Sequence, residues 1–136
     1  MNDFQRLILK HQAMDSRLTP EKCELTVLSH FKNADNTGDD DPKVGSCWKE
    51  FWQIFTQEDF PKTCPFCGKP LAAEDVSGCH INIRRVRLCP KEGEDRYYYT
   101  SKKYIIPGHQ GCNKCSGDEN EFQSKIEVTA VEAIKK

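Results

Sequence analysis

Two cysteines separated by two residues carry the strongest chemical signal in this sequence of 136 residues. Cys64 and Cys67 enclose Pro65 and Phe66, and Gly68 follows directly. Two thiolates at this spacing can bind one Zn²⁺ ion from a tight turn. The glycine relieves the steric cost of the turned backbone and lets amide groups approach the sulfurs. The motif therefore predicts half of a zinc site.

A redox pair is the competing interpretation, because thioredoxin-type proteins use the same C-x-x-C spacing. In thioredoxin-type proteins, a strand precedes the motif and a long helix follows it. Here Pro61 precedes the motif and Pro70 follows it, so a helix cannot continue from the second cysteine. The flanking residues therefore favour a zinc knuckle.

A structural zinc ion needs four ligands, so a second pair must come from another part of the chain. Segment 108–115 offers His109, Cys112 and Cys115. Two residues separate His109 from Cys112, and two also separate Cys112 from Cys115, so the spacing leaves both pairs open. Zinc would contribute folding free energy on the order of 10 kcal/mol, as in isolated zinc fingers. That contribution would offset a hydrophobic content of only 37%.

A resemblance to a known family extends over about residues 64–115. The runs CPFCGKPL (64–71), GCHI (78–81) and YIIPGHQGCN (104–113) resemble the HNH endonuclease-like group of treble-clef zinc proteins. In that group a C-x-x-C knuckle precedes a short motif that ends in histidine. An apolar-proline step then leads into a second ligand pair, which is followed by asparagine.

The resemblance also implies which residues complete the metal site. In the family, the asparagine directly follows the second ligand of the second pair, and Asn113 directly follows Cys112. This alignment implies a closed, tetrahedral and therefore structural zinc site. Its ligands are Cys64, Cys67, His109 and Cys112, with Cys115 as the alternative fourth ligand in place of His109.

His80 resembles the general base of catalytic HNH enzymes, in which a hairpin histidine activates water beside a divalent ion. The neighbouring Cys79 stands where a ligand for that ion is expected, and a thiol binds Mg²⁺ poorly. The resemblance therefore implies a zinc protein that binds nucleic acid or a protein without catalysis. The alternative is a metal-dependent nuclease with His80 as base and a second divalent metal.

Charge is distributed unevenly along a chain whose net charge is −1, which excludes a uniformly basic nucleic-acid-binding protein. Residues 78–104 carry seven basic and three acidic side chains, with four tyrosines interleaved. Basic side chains neutralise phosphates, and tyrosines can stack on bases. The predicted hairpin 81–104 is therefore a candidate nucleic-acid surface. Its candidate contacts are Arg84, Arg85, Arg87, Lys102 and Lys103.

The first 60 residues suggest a different partner, because they carry 11 acidic and seven basic side chains. The acidic segment 35–41 could dock on a basic protein, and so could the aromatic face of a helix predicted at 46–56. A third hypothesis is therefore a small inhibitor or regulator of a basic protein partner.

The sequence shows no apolar run of the roughly 18 residues that would cross a bilayer. Its first residues hold only a short apolar run, unlike a secretory signal peptide. We therefore expect a cytoplasmic protein with no membrane partner. In that reducing compartment, cysteines act as metal ligands more readily than as disulfides.

The predicted secondary structure that positions these residues changes from helices to short strands near residue 60. Residues 1–60 are predicted to be a helical segment, because apolar side chains recur at helical spacing in three places. Short strands are predicted after residue 63, at 81–88, 97–100, 104–106 and 126–130, with a hairpin tip at 91–95. The helical positions are Phe4, Leu7, Ile8 and His11, then Leu25, Leu28 and Phe31 behind Thr19 and Pro20, then Trp48, Phe51, Trp52 and Phe55 behind a Ser46 cap.

The predicted fold class is α+β. N-terminal helices from residues 1–60 pack on a zinc-stapled domain, residues 61–136, which resembles the treble clef, or ββα-metal core, of HNH proteins.

Overall fold

A computed structural model describes residues 19–35, 37, 40–87, 96–113 and 121–136. A curled sheet of seven strands dominates this part of the chain, and a helix of nine residues packs against it. The α+β fold class is therefore confirmed, with most of the regular structure in the sheet.

Each pair of neighbouring strands in the described part of the sheet is antiparallel. The sheet order is β1-β7-β5-β3-β2-β6, and β4 pairs with β3 beside this path. The strands are β1 (Lys22–Leu25), β2 (His30–Asn33), β3 (Val76–Arg87), β4 (Arg96–Tyr99), β5 (Tyr104–His109), β6 (Glu121–Gln123) and β7 (Val128–Glu132). The helices are α1 (Trp48–Thr56) and α2 (Gln110–Asn113), and a 3-10 turn spans Ala73–Asp75.

The side chains of the long strand β3 point alternately to the two faces of the sheet. Cys79, Ile81 and Ile83 point to one face, and all three are buried. The intervening positions point to the other face, where α1 lies. A Cβ atom on Gly78 would sit 2.5 Å from the backbone nitrogen of Lys49, so the helix backbone crosses β3 in direct contact.

The predicted aromatic helix is confirmed as α1, and its aromatic face is buried against the sheet. Trp48, Phe51 and Trp52 are buried, and the Trp52 indole donates a hydrogen bond of 2.7 Å to the Thr129 carbonyl. This face is therefore part of the core. The cap differs from the prediction, since Cys47 precedes the helix and makes no capping hydrogen bond with its side chain. The Ser46 hydroxyl instead donates to the Glu50 carboxylate at 2.6 Å.

The helix predicted after Thr19 and Pro20 is wrong, because residues 22–25 and 30–33 form β1 and β2. β1 pairs with β7, and β2 pairs with both β3 and β6. These long-range partners outweigh the local helical spacing. The first 60 residues thus contribute two strands to the same sheet as residues 61–136.

The strands predicted at 81–88, 97–100 and 104–106 are confirmed as β3, β4 and β5, although β3 already begins at Val76. The last strand spans Val128–Glu132 and not 126–130. The helix predicted from Phe4 to His11 and the hairpin tip at 91–95 lie outside the described residues. No helix within the described part of the chain is long and apolar enough to cross a membrane.

Candidate metal centre

Three of the predicted zinc ligands come together in the structure. The sulfur atoms of Cys64, Cys67 and Cys112 all lie within 4.8 Å of one another. Cys64 and Cys67 belong to a tight turn, and Cys112 lies in α2, which directly follows β5. Three sulfur donors at this separation fit one thiophilic metal ion.

The knuckle turn owes its shape to hydrogen bonds that close around the first cysteine. The Gly68 amide donates to the Cys64 carbonyl, and the Cys64 amide donates to the Lys69 carbonyl, both at 2.9 Å. Gly68 has a φ of 75°, which is strained for any residue with a side chain. The backbone conformation at position 68 therefore favours glycine, as the sequence motif predicts.

Phe66, between the two knuckle cysteines, anchors the turn to the sheet. Its ring lies 4.9 Å from the ring of Phe31 and 4.9 Å from that of Phe122. A Cβ atom on Gly108 would sit 2.7 Å from the Phe66 ring, so β5 has room for this ring only because residue 108 is glycine. The knuckle is thereby held against the strand that leads to Cys112.

Asn33 at the end of β2 fixes the third cysteine. Its side-chain amide donates a hydrogen bond of 2.8 Å to the carbonyl of Cys112. No local signal marks Asn33, because 79 residues separate it from Cys112. Sequence reasoning therefore missed this contact.

His109 lies beside the three sulfurs, and its ring is not part of the group. Its Nε2 atom lies 2.9 Å from the Pro70 carbonyl, and its backbone amide donates to the Cys64 sulfur at 3.4 Å. The amide contact holds the Cys64 sulfur against the end of β5. The alternative ligand, Cys115, lies outside the described residues.

The close approach of the sulfurs affects the ionisation of Cys67 and Cys112. Burial and the neighbouring Cys64 and Cys67 together raise the pKa of Cys112 to about 12. Burial also raises the pKa of Cys67, but hydrogen bonds from Lys69 and the other two cysteines outweigh it and lower that pKa overall. Three thiolates this close need a cation to offset their repulsion, so the donor set fits a bound metal.

Cys79 lies behind the cluster as a neutral thiol. Burial raises its pKa, and the charges of Cys64 and Cys112 raise it further. Its sulfur lies 3.5 Å from the Ser77 carbonyl, which accepts the thiol hydrogen. Cys79 therefore packs as a small buried side chain beside the metal centre.

His80 points to the opposite face of β3 from Cys79 and is only 6% exposed. Its ring packs edge-on against Trp48, with ring centroids 4.6 Å apart. Its Nε2 atom is buried and has no hydrogen-bond partner within the described part of the chain. Burial lowers the pKa of His80, Asp40 raises it and Lys103 lowers it, and together they bring it to about 4. The imidazole is therefore neutral near pH 7.

A cavity of about 220 Å³ borders His80, and it is lined by Asp40, Trp48, Ser101 and Lys103 among others. Asp40, from the predicted acidic segment 35–41, lies 3.8 Å from the Lys135 ammonium. Its carbonyl accepts the hydrogen bond of the Trp48 indole at 2.9 Å. Part of the acidic segment is thus engaged within the molecule.

The five basic residues predicted to contact nucleic acid are divided among different environments. Arg84 pairs with Glu121 at 2.8 Å, and Lys102 pairs with Glu21 at 3.1 Å. The structure therefore does not bring the five together on one surface. Lys103 lines the His80 cavity, Arg85 contacts the Cys23 sulfur at 3.1 Å, and Arg87 is exposed.

No protein-family model, no curated protein and no solved structure matches this chain.

Proposed function

We propose that this protein is a zinc-stapled, HNH-like treble-clef module that binds nucleic acid without catalysing a reaction. The observation that carries the proposal is the group of three sulfurs from Cys64, Cys67 and Cys112. In a chain with this hydrophobic content, one metal ion that joins the knuckle to α2 stabilises the fold substantially.

The order of elements around the cluster supports the treble-clef part of the proposal. A knuckle with two cysteines is followed by the antiparallel pair β3 and β5, and then by α2 with the third cysteine. A metal ion bound there would tie the turn before the pair to the helix after it. This is the same order as in the motifs that resemble the HNH group.

The fourth zinc ligand has two candidates. His109 can supply a ring nitrogen if its ring leaves the Pro70 carbonyl, which now lies 2.9 Å from Nε2. Cys115 is the alternative, three positions after Cys112. Either ligand closes the tetrahedron, and a closed zinc site is structural because it leaves no position for substrate.

The environment of His80 supports a module without catalysis. A general base must reach the water that it activates, whereas His80 is only 6% exposed and its ring packs against Trp48. The neighbouring Cys79 offers a neutral thiol on the opposite face, which is a poor partner for Mg²⁺.

Metal analysis of the purified full chain tests the zinc site. We expect about one zinc per chain, and its loss in Cys67→Ser. Cys47→Ser is the matched control, because Cys47 lies at the start of α1 and outside the cluster. The Cys67 variant should lose several kcal/mol of unfolding free energy, and the control should lose about 1 kcal/mol or less.

The zinc proposal fails if both variants retain the same metal content and stability. Paired substitutions identify the fourth ligand: His109→Ala abolishes tight zinc binding if His109 is a ligand, and Cys115→Ser does so if Cys115 is.

A cleavage assay tests the absence of catalysis. We expect no cleavage of plasmid or single-stranded DNA with Mg²⁺, Mn²⁺ or Ni²⁺. Metal-dependent cleavage that disappears in His80→Ala would overturn this part of the proposal and identify a nuclease with His80 as general base.

A further inference from the structure

The end of the β3–β4 hairpin forms a ribbon of two strands beside the main sheet. β2 pairs with β3 only as far as Ile83, and within the described residues β3 pairs with β4 alone from Arg84 to Arg87. Each face of this ribbon therefore has its own set of neighbouring side chains. The ribbon comprises residues 84–87 and 96–99.

The strand register assigns each ribbon residue to a face, because directly opposite residues point to the same side. Arg84 is opposite Tyr99, and Val86 is opposite Tyr97. We call this side the carboxylate face, since Glu121 reaches it. The other side, the arginine face, carries Arg85 opposite Tyr98 and Arg87 opposite Arg96.

Glu121 neutralises the carboxylate face. It pairs with Arg84 at 2.8 Å and accepts a hydrogen bond from the Tyr99 hydroxyl. The guanidinium of Arg84 also lies 4.2 Å from the centre of the Tyr97 ring. The charge of Arg84 on this face is thus paired within the molecule.

The arginine face concentrates positive charge around one open aromatic ring. Arg87 and Arg96 lie directly opposite each other on this face. Arg85 is beside them, and its guanidinium contacts the Cys23 sulfur at 3.1 Å. Tyr98 lies directly opposite Arg85 and is 49% exposed.

We propose that the arginine face binds single-stranded nucleic acid, with phosphates on Arg85 and Arg87 and a base stacked on Tyr98. Guanidinium groups complement phosphates, and an exposed aromatic ring can stack only on a base that is free of its duplex neighbours. This inference rests on the proposed nucleic-acid binding and specifies the strand form and the contacting face.

Fluorescence anisotropy of the zinc-loaded full chain with a labelled oligothymidine tests the inference. Tyr98→Ala should weaken binding roughly 5- to 150-fold, the effect of losing one stacked base. Tyr97→Ala is the matched control, because the neighbouring tyrosine is 61% exposed on the opposite face, and it should change binding less than about 2-fold. Zinc content and thermal unfolding of each variant verify that the fold is retained.

Arginine substitutions give a second, charge-matched comparison. Arg85→Gln and Arg84→Gln each remove one positive charge, but only Arg85 lies on the arginine face. Arg85→Gln should weaken binding more and reduce the salt dependence by about 0.7 in the slope of log K against log salt, as expected for one phosphate contact on a single strand.

Each other outcome has a defined meaning. Equal losses from both faces would show attraction by overall charge and overturn the inference, as would tighter binding to duplex DNA or equal binding to polyglutamate. Nucleic-acid binding that is unchanged in the Tyr98 and Arg85 variants would overturn this inference but not the proposed function. If the zinc-loaded chain binds no oligonucleotide, the nucleic-acid part of the proposed function fails as well, while the zinc measurement still decides the metal site.

Discussion

Cys79 and His80 are adjacent in sequence, and the alternation of a strand sends them into different environments. Cys79 lies near Cys64 and Cys112, and burial together with their charges raises its pKa. His80 lies against Trp48 on the side of α1. The motif that resembles the HNH group therefore places its histidine on the opposite face of β3 from the metal centre.

The buried histidine predicts a dependence of stability on pH. Burial lowers the pKa of His80 to about 4, against about 6.5 in an unfolded chain. Between these values the unfolded state binds more protons, so stability is fully present above about pH 6.5 and is lost as the pH falls toward 4. The total effect is up to about 3 kcal/mol, at 1.4 kcal/mol per pKa unit.

Urea unfolding between pH 7.5 and 4 checks this prediction against His80→Phe, which keeps an aromatic ring beside Trp48. Protonation of the cysteine ligands affects both proteins, so the difference between them isolates His80. The variant should lose less stability on acidification than the wild type. Parallel pH profiles for the two proteins would contradict the prediction.

At the scale of elements, the contact between α1 and β3 depends on a glycine. A Cβ atom at position 78 would lie 2.5 Å from backbone atoms of both Trp48 and Lys49. Backbone atoms cannot move aside as a flexible side chain can, so any side chain here must separate helix from strand. The indole of Trp52 further ties α1 to β7 through the Thr129 carbonyl.

Gly78→Ala should therefore destabilise the protein by about 1–3 kcal/mol, the usual cost of overpacking. Gly111→Ala in α2 is the matched control, because its added Cβ atom meets nothing within 4 Å. That control should leave stability unchanged or raise it by up to about 1 kcal/mol, since alanine favours helix. Chemical denaturation measures both variants, and equal effects would show that the close approach at position 78 is not limiting.

At the scale of the whole molecule, the C-terminal strand β7 occupies an interior position of the sheet. β7 lies between β1 and β5, so residues near the two ends of the described chain pair with each other. Val131 and Ala130 are fully buried in this position. The sheet therefore requires the C-terminal segment before β1 can join it.

Truncation after Glu127 should abolish cooperative unfolding, because it removes an interior strand and leaves β1 without its partner. Removal of only Lys136, which is exposed and donates one backbone hydrogen bond to the Asp41 carbonyl, is the control and should cost about 1 kcal/mol or less. Thermal unfolding followed by circular dichroism distinguishes the two. A sharp transition in the longer truncation would mean that β1 and β7 are dispensable.

The sequence by itself determined the features that depend on near neighbours. The C-x-x-C turn with its glycine predicted the knuckle, and the aromatic spacing from Trp48 to Phe55 predicted α1. Alternating apolar residues predicted β3, and a short apolar run predicted β5. Each of these signals lies within a few residues, where backbone geometry and side-chain periodicity act directly.

Only the tertiary structure decided the features that depend on distant partners. The residues of β1 and β2 have helical spacing, yet they form strands because β7, β3 and β6 supply hydrogen bonds. The ring of His109 lies on the Pro70 carbonyl, and Arg84 and Arg85 lie on opposite faces of the ribbon. Register and facing depend on which strands meet, and local periodicity carries no information about that choice.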